Sequence, residues 1–364
     1  MTLPLKVHLV SPLPPPLGGI ARWTRLISQR AGHDPDVQLT VINTALRWRG
    51  IHHTAAWRRI LAGTRQLLSS AWALYWPSVS ARTRPDTVHV NTSGQVGVIR
   101  DLLLLLIAKA FKIRYVYHIR FGRVPAIAAS GTLEWKLIRS VMRLASVVIV
   151  LDETTEKTVV SRVPGARVKR IPNCVDFTEM PEVGGLPIVE PRAVVFVGWV
   201  VRTKGIEDLL AAWAVVSKPG WTLLIVGSCE AAYRNFLESL VTASQAVKFL
   251  GELPHSEVLQ VMALGDVFVL PSHTEGFPNA VLEAMALRKA VVATDVGAVG
   301  EMLSGGCGLV VTAAKPAELA AGLSTVMEDL ELRRRLGDSA HARAQAEYSV
   351  DNVLSQYMRV WAGV

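Results

Sequence analysis

No stretch of this 364-residue chain is apolar for long enough to cross a bilayer. The run Leu102 to Ala108 stops at Lys109, far short of the roughly 20 residues that a spanning helix needs. Cysteine is scarce as well. Cys174, Cys229 and Cys307 stand far apart without metal-ligand spacing, which argues against a disulfide framework or a zinc site and for a reducing compartment. The opening MTLPLKVHLV lacks the ordered charged, hydrophobic and cleavage regions of a secretory signal, and reads as a first buried strand. Short-period repeats and low-complexity tracts are missing too. What these absences leave is a globular cytoplasmic protein, and 50% hydrophobic with 19% charged residues suit one. The length allows two domains, each with its own core.

Acidic residues are absent from Arg47 to Arg84, a stretch with seven arginines and four tryptophans, Trp48, Trp57, Trp72 and Trp76. On a helix, Trp57, Leu61, Thr64, Leu68, Trp72 and Tyr75 fall along one stripe. Tryptophan with arginine and no acid suits contact with anionic lipid head groups. The wider charge agrees: residues 1–178 hold 25 Lys and Arg against 9 Asp and Glu, whereas residues 179–364 hold 14 against 21. Nucleic acid is the competing polyanion, but no nucleic-acid motif accompanies the charge. The expectation is peripheral contact with an anionic membrane and no nucleic-acid partner.

Short β-branched runs alternate with helical stretches throughout, which predicts α/β architecture with parallel sheets. The first six strand candidates are Lys6–Val10, Val37–Ile42, Val88–Val90, Tyr115–Ile119, Val147–Leu151 and Val168–Ile171. The rhythm restarts with Val194–Val197, Thr222–Val226, Lys248–Leu250, Val267–Leu270, Val291–Ala293 and Leu309–Val311. Between the two sets, Glu179 to Pro191 carries three prolines and two adjacent glycines and reads as a linker. The division is therefore a domain over 1–178, a linker over 179–191, a domain over 192–345 and a last helix over 346–364.

The most informative stretch is VFVLPSHTEGFPNAVLEAM, Val267 to Met285. It reads as a strand, a polar loop and a helix that Asn279 would cap. Helix-opening N–H groups around Asn279 and Ala280 would form an anion site in the crevice at the strand's carboxyl end. Two carboxylates frame it, Glu275 on the loop and Glu283 about one turn into the helix. Carboxylates accept hydrogen bonds from sugar hydroxyls and repel phosphate. Amides flanked by two of them suit a ligand with a phosphate centre and hydroxyl-rich ends, the layout of a nucleotide sugar.

This stretch resembles the Glu-x7-Glu motif of the retaining glycosyltransferases with two facing Rossmann-like domains, the GT-B fold of glycosyltransferase family 4. Glu275, Gly276, Phe277, Pro278, Asn279, Ala280 and Glu283 stand where that motif places them. The resemblance implies that Glu275 contacts the donor sugar, Glu283 holds the ribose, and the intervening amides bind the diphosphate. It also implies a last helix that crosses back to the first domain. Gly18 and Gly19, in SPLPPPLGGIARW, correspond to a glycine loop beside the donor phosphate, and His118 to a strand-end histidine near the donor sugar. Gly251, Glu252 and Leu253 correspond to a loop that cradles the base through its backbone. RIPNCVD, Arg170 to Asp176, resembles the signature that closes the first domain, and Gly297 with Glu301 matches a pattern at the pocket floor. Lys204 and Gly205 match a Lys-Gly pair whose cation meets the diphosphate, but Trp199 occupies the position where the family usually has an arginine. Arg202 is the candidate substitute.

By that resemblance the reaction moves a sugar from a nucleoside diphosphate sugar to a hydroxyl, with anomeric configuration retained and no metal or other cofactor. No Asp-x-Asp follows a short strand, so the leaving charge would fall to cations and helix amides. Lys204, Arg202, Glu275 and His118 are the expected catalytic residues. The expected acceptor is a saccharide or lipid-linked saccharide of cell-surface polysaccharide or glycolipid assembly, met at the inner face of the cell membrane. Two alternatives remain: a nucleotide-sugar epimerase of the same fold, and a catalytically silent binding subunit.

Overall fold

The structure, a computed structural model, describes residues 3–15, 18–45, 56–95, 97–181, 192–242 and 244–364, with side chains described outside 56–63. Contacts divide the chain into two units, Met1–Asn173 with Val350–Val364, and Cys174–Ser349.

The first unit is built on a six-stranded parallel sheet in the order β2-β1-β3-β4-β5-β6. Its strands are β1 (Leu5–Ser11), β2 (Val37–Asn43), β3 (Thr87–Thr92), β4 (Arg114–Ile119), β5 (Val147–Val150) and β6 (Val168–Arg170). All six lie where β-branched runs predict them. β3 and β5 are buried along their whole length, as a parallel sheet with both faces covered requires. The chain passes from β1 out to β2 and then returns to β1's other side with β3, so the strand order reverses between β1 and β3.

The helix Val350–Ala362 packs on this sheet. Thr87 Oγ1 donates to the Trp361 carbonyl at 2.9 Å, and Arg30 holds Asp351 at 2.6 Å. The break near the chain's end falls at Val350, later than the 346 read from sequence, because the helix Leu330–Tyr348 continues through 346–348 in the second unit. The earlier break falls at Asn173, inside RIPNCVD. Most of the expected linker, residues 182–191, lies outside the described residues.

The second unit repeats the plan in the order β12-β11-β10-β7-β8-β9, all parallel. Its strands are β7 (Arg192–Val197), β8 (Trp221–Val226), β9 (Val247–Gly251), β10 (Val267–Leu270), β11 (Ala290–Thr294) and β12 (Leu309–Val311). The reversal here lies between β7 and β10. Ligands of open α/β sheets bind outside the carboxyl ends of the strands at such a switch point. The loops that leave β7 and β10 are the ones carrying Lys204 and Glu275.

The Ala56–Val79 helix settles what its stripe means. Ser70, Leu74 and Ser78 are buried, while Leu68, Trp72, Tyr75, Trp76 and Val79 are exposed, with Trp72 and Trp76 stacked at 5.5 Å. The lower part of the predicted stripe, Leu68, Trp72 and Tyr75, therefore lies on the surface. Trp48 lies outside the described residues, as do the side chains of Trp57 and Leu61. Among the described residues, no helix is long and apolar enough to cross a membrane.

Candidate active site

At the β7–β10 switch point the two loops meet through backbone as well as side chains. His273 N donates to the Thr203 carbonyl at 2.9 Å. Gly205 has φ +67°, and a Cβ there would stand 2.0 Å from the Pro271 carbonyl oxygen, so only glycine lets the loops approach so closely. His273 Nε2 lies 2.6 Å from Asp208 Oδ2, pinning the second loop to the Ile206–Val216 helix.

That approach delivers Lys204 to Glu275. Lys204 Nζ donates to Glu275 Oε1 at 2.6 Å, and Ser272 Oγ donates to the same oxygen at 2.7 Å. Ser272 is fully buried and the Glu275 side chain is only 10% exposed. Both donors fall on Oε1, which leaves Oε2 to accept from something else. Behind the carboxylate, Gly297 has φ +58°, and a Cβ there would stand 2.6 Å from the Glu275 carbonyl oxygen and 2.4 Å from that of Gly276. Ala298 N closes the contact by donating to Gly276 O at 2.8 Å. Gly297 therefore sets the height of the motif loop.

The helix after the loop runs Asn279–Ala286. Its capping position is Pro278, whereas the sequence reading placed Asn279 there. Proline has no side-chain oxygen, and the helix start carries no side-chain cap. A capping position without a side-chain acceptor suits an anion site at a helix start. Phe277 is buried edge-on against Tyr348, ring centroids 5.6 Å apart, and anchors the turn. Glu283 is buried in the helix, with His255 Nε2 3.6 Å from its Oε1. His255 opens the helix that follows the Gly251, Glu252, Leu253 loop, so the expected base and ribose positions come together. Gly251 takes φ +73° and accepts a hydrogen bond from Gly227 N at 2.8 Å.

Arg202 is engaged elsewhere in the loop. It pairs with Glu207 at 2.6 Å and lies over the rings of Tyr233 and Phe236 at 5.1 and 5.6 Å. A cation at a helix start calls for an anion, and for Arg202 the protein's own Glu207 supplies it. Trp199 is 57% exposed.

Gly18 and His118 belong to the first unit. Gly18 precedes the Gly19–Ala31 helix in extended conformation, and a Cβ there would meet nothing within 4 Å, so this glycine is not sterically required. His118, at the carboxyl end of β4, is fully buried. Trp361 Nε1 donates to His89 Nδ1 at 2.9 Å, which puts the proton of a neutral His89 on Nε2, 3.1 Å from His118 Nδ1. The other ring nitrogen of His118, Nε2, lies 3.5 Å from Arg120 Nη1, which can only donate, so a neutral His118 accepts from His89 or from Arg120 but not from both. Burial, with Arg120 beside it, pushes His89 down to about 3 and lowers His118 well below the ordinary histidine value, so both rings are neutral at pH 7.

Residues 17–179 match the model of Glycosyltransferase Family 4, and residues 191–329 that of Glycosyl transferases group 1. The chain belongs to the family 4-like glycosyltransferases. It is 29% identical over 205 residues to glycogen synthase of Mycobacterium tuberculosis, covering 54% of this chain and 49% of the relative. It is 33% identical over 159 residues to a GDP-mannose-dependent monoacylated alpha-(1-6)-phosphatidylinositol monomannoside mannosyltransferase of Corynebacterium glutamicum, covering 41% of each. This family member thus spans about half or less of the curated relatives it matches. Sucrose-phosphate synthase of Thermosynechococcus elongatus shares the fold over 98% of both chains, with a TM-score of 0.78 at 21% identity.

Sequence reasoning missed Ser272, His255 and Asp208. Each acts on a motif residue across a turn or across a long sequence separation, and Ser272 carried a signal only in its place three residues before Glu275.

Proposed function

We propose that this glycosyltransferase-family chain moves a sugar from a nucleoside diphosphate sugar to a hydroxyl of a lipid-linked saccharide, with retention, in cell-surface polysaccharide or glycolipid assembly. The observation that carries the reading is the convergence of Lys204 and Ser272 on Glu275 Oε1, beside a helix start without a side-chain cap.

As the C1–O bond to the diphosphate breaks, negative charge grows on the leaving phosphate. Lys204 and the amides around Asn279 and Ala280 meet that charge in place of a divalent ion. Glu275, oriented through Oε1, offers Oε2 to the donor sugar's hydroxyls, Glu283 accepts from the ribose, and the Gly251–Leu253 backbone receives the base. The acceptor hydroxyl passes its proton to the departing phosphate oxygen as its own oxygen bonds to C1, with attack and departure on one face of the sugar. Arg202 would join Lys204 on the diphosphate by exchanging Glu207 for phosphate. His118 would serve the donor sugar, as the family resemblance implies.

Support for a lipid-linked acceptor comes from the basic first half, from the exposed Leu68, Trp72, Trp76 and Val79, and from the C. glutamicum relative, a phosphatidylinositol monomannoside mannosyltransferase. We place the enzyme at the cytoplasmic face of the cell membrane. UDP-, GDP- and ADP-sugars assayed with and without lipid extract, in the parent and in Glu275→Ala, test the reading. Transfer that needs the extract and is lost in the variant is expected. Sugar interconversion without an acceptor would make the chain an epimerase, and turnover untouched by Glu275→Ala would refute the site.

A further inference from the structure

The first unit carries a cavity that the transfer reaction does not use. β1 and β2 run in parallel register, Lys6 opposite Gln38 and His8 opposite Thr40. Alternate residues of a strand share a face, and these four side chains line a cavity of about 610 Å³ whose far wall includes Ser70 and Arg82. Ligand cavities are commonly of this size.

Two features point to a ligand. His8 Nδ1 and Ser70 Oγ are buried without a hydrogen-bond partner, and their residues are only 7% and 1% exposed. Leaving buried polar atoms unpaired destabilises a fold, and here both residues belong to the lining of one cavity. The second feature is charge: the lining includes Lys6 and Arg82 and no carboxylate among the described residues. Lys6 Nζ donates to the Arg82 backbone carbonyl, which ties the two cationic residues together. Burial lowers His8 from its ordinary value, so its ring is a neutral partner for a hydroxyl. Gln38 and Thr40 add an amide and a hydroxyl.

We propose that this cavity binds a phosphorylated polyol, with Lys6 and Arg82 on the phosphate and His8, Ser70, Gln38 and Thr40 on the hydroxyls. The shared chemistry has two sources, a soluble sugar phosphate or the head group of an anionic phospholipid. The exposed Trp72 and Trp76 on the same helix as Ser70 suit the second.

Calorimetric titration of the full chain with glucose 6-phosphate, glucose and inorganic phosphate tests the soluble source. Sedimentation with phosphatidylglycerol and phosphatidylcholine vesicles tests the lipid one. Each is run on the parent, Ser70→Ala, Arg82→Gln and Lys204→Ala. The expected result is binding of glucose 6-phosphate, or retention on phosphatidylglycerol, that weakens at least tenfold in Ser70→Ala and Arg82→Gln. Lys204→Ala, in the other unit, should bind like the parent, so the outcome stands apart from that of the transfer assay. Ser70→Ala should also melt no lower than the parent without ligand, because it removes an unpaired buried hydroxyl. Binding by neither probe, or binding that both cavity variants leave unchanged, would overturn the proposal. So would phosphate binding as tightly as glucose 6-phosphate in the absence of any lipid effect.

Discussion

Replacing Gly297 with alanine moves the motif loop without replacing a residue that meets substrate. The new Cβ would stand 2.4 Å from the Gly276 oxygen, and ordinary contact begins near 3.4 Å, so the loop has to recede by about 1 Å. A misplacement of about 1 Å can cost roughly 100-fold in rate, and Glu275 is the side chain displaced. Alanine at φ +58° adds a backbone cost on the order of 1–2 kcal/mol. Gly306→Ala separates the two effects, because Gly306 has φ +80° in the same unit and a Cβ there would meet nothing within 4 Å. Both variants should lose a few degrees of melting temperature, and only Gly297→Ala should lose about two orders of magnitude in kcat/KM for sugar transfer. Equal activities at equal stability would refute the claim that the loop's height positions Glu275.

Other expectations concern charge and protons. Lys204→Ala should reduce donor turnover strongly and Arg202→Ala less, since Arg202 must first leave Glu207; unchanged rates in both would exclude a phosphate role for either. Transfer should survive EDTA dialysis, and a loss restored by magnesium would show that Lys204 and the helix amides do not suffice. Lys289 is buried against the Ala263 carbonyl and its pKa is pushed down to about 8. Between about pH 8 and 10.5 the unfolded chain binds a proton there that the folded chain does not, so stability should rise with pH across this window. The gain, at most on the order of 3 kcal/mol, should vanish from denaturant curves of Lys289→Met. Nitrogen-15 NMR of histidine-labelled protein should find His89 protonated on Nε2, and Trp361→Phe should free His89 to exchange tautomers. A parent His89 protonated on Nδ1 would contradict the hydrogen bond from Trp361.

Most of the twelve strands were legible as short runs rich in β-branched residues, even where a strand covered on both faces holds polar side chains, as β3 holds His89 and Asn91. Glu275, Lys204 and Glu283 were legible as motif residues. Their partners were not: Asp208 meets His273 across 65 positions and Lys204 meets Glu275 across 71, which no local pattern encodes. Asn279 looked like a cap by residue type, but the backbone turns at Pro278 one position earlier. The tryptophan stripe was legible as a surface from its arginine-rich, acid-free composition, and Leu68, Trp72 and Tyr75 are exposed. The cavity beside β1 was invisible because its walls come from two strands in register and a helix some 30 residues further on.

The central claim is that the opening turn of the Asn279–Ala286 helix, with Lys204, holds a diphosphate between Glu275 and Glu283. A crystal structure with a nucleoside diphosphate sugar tests it most directly. The account predicts phosphate oxygens against the Asn279 and Ala280 amides and Lys204 Nζ, with the sugar at Glu275 and the ribose at Glu283. A ligand bound in some other crevice, with this one empty, would contradict it.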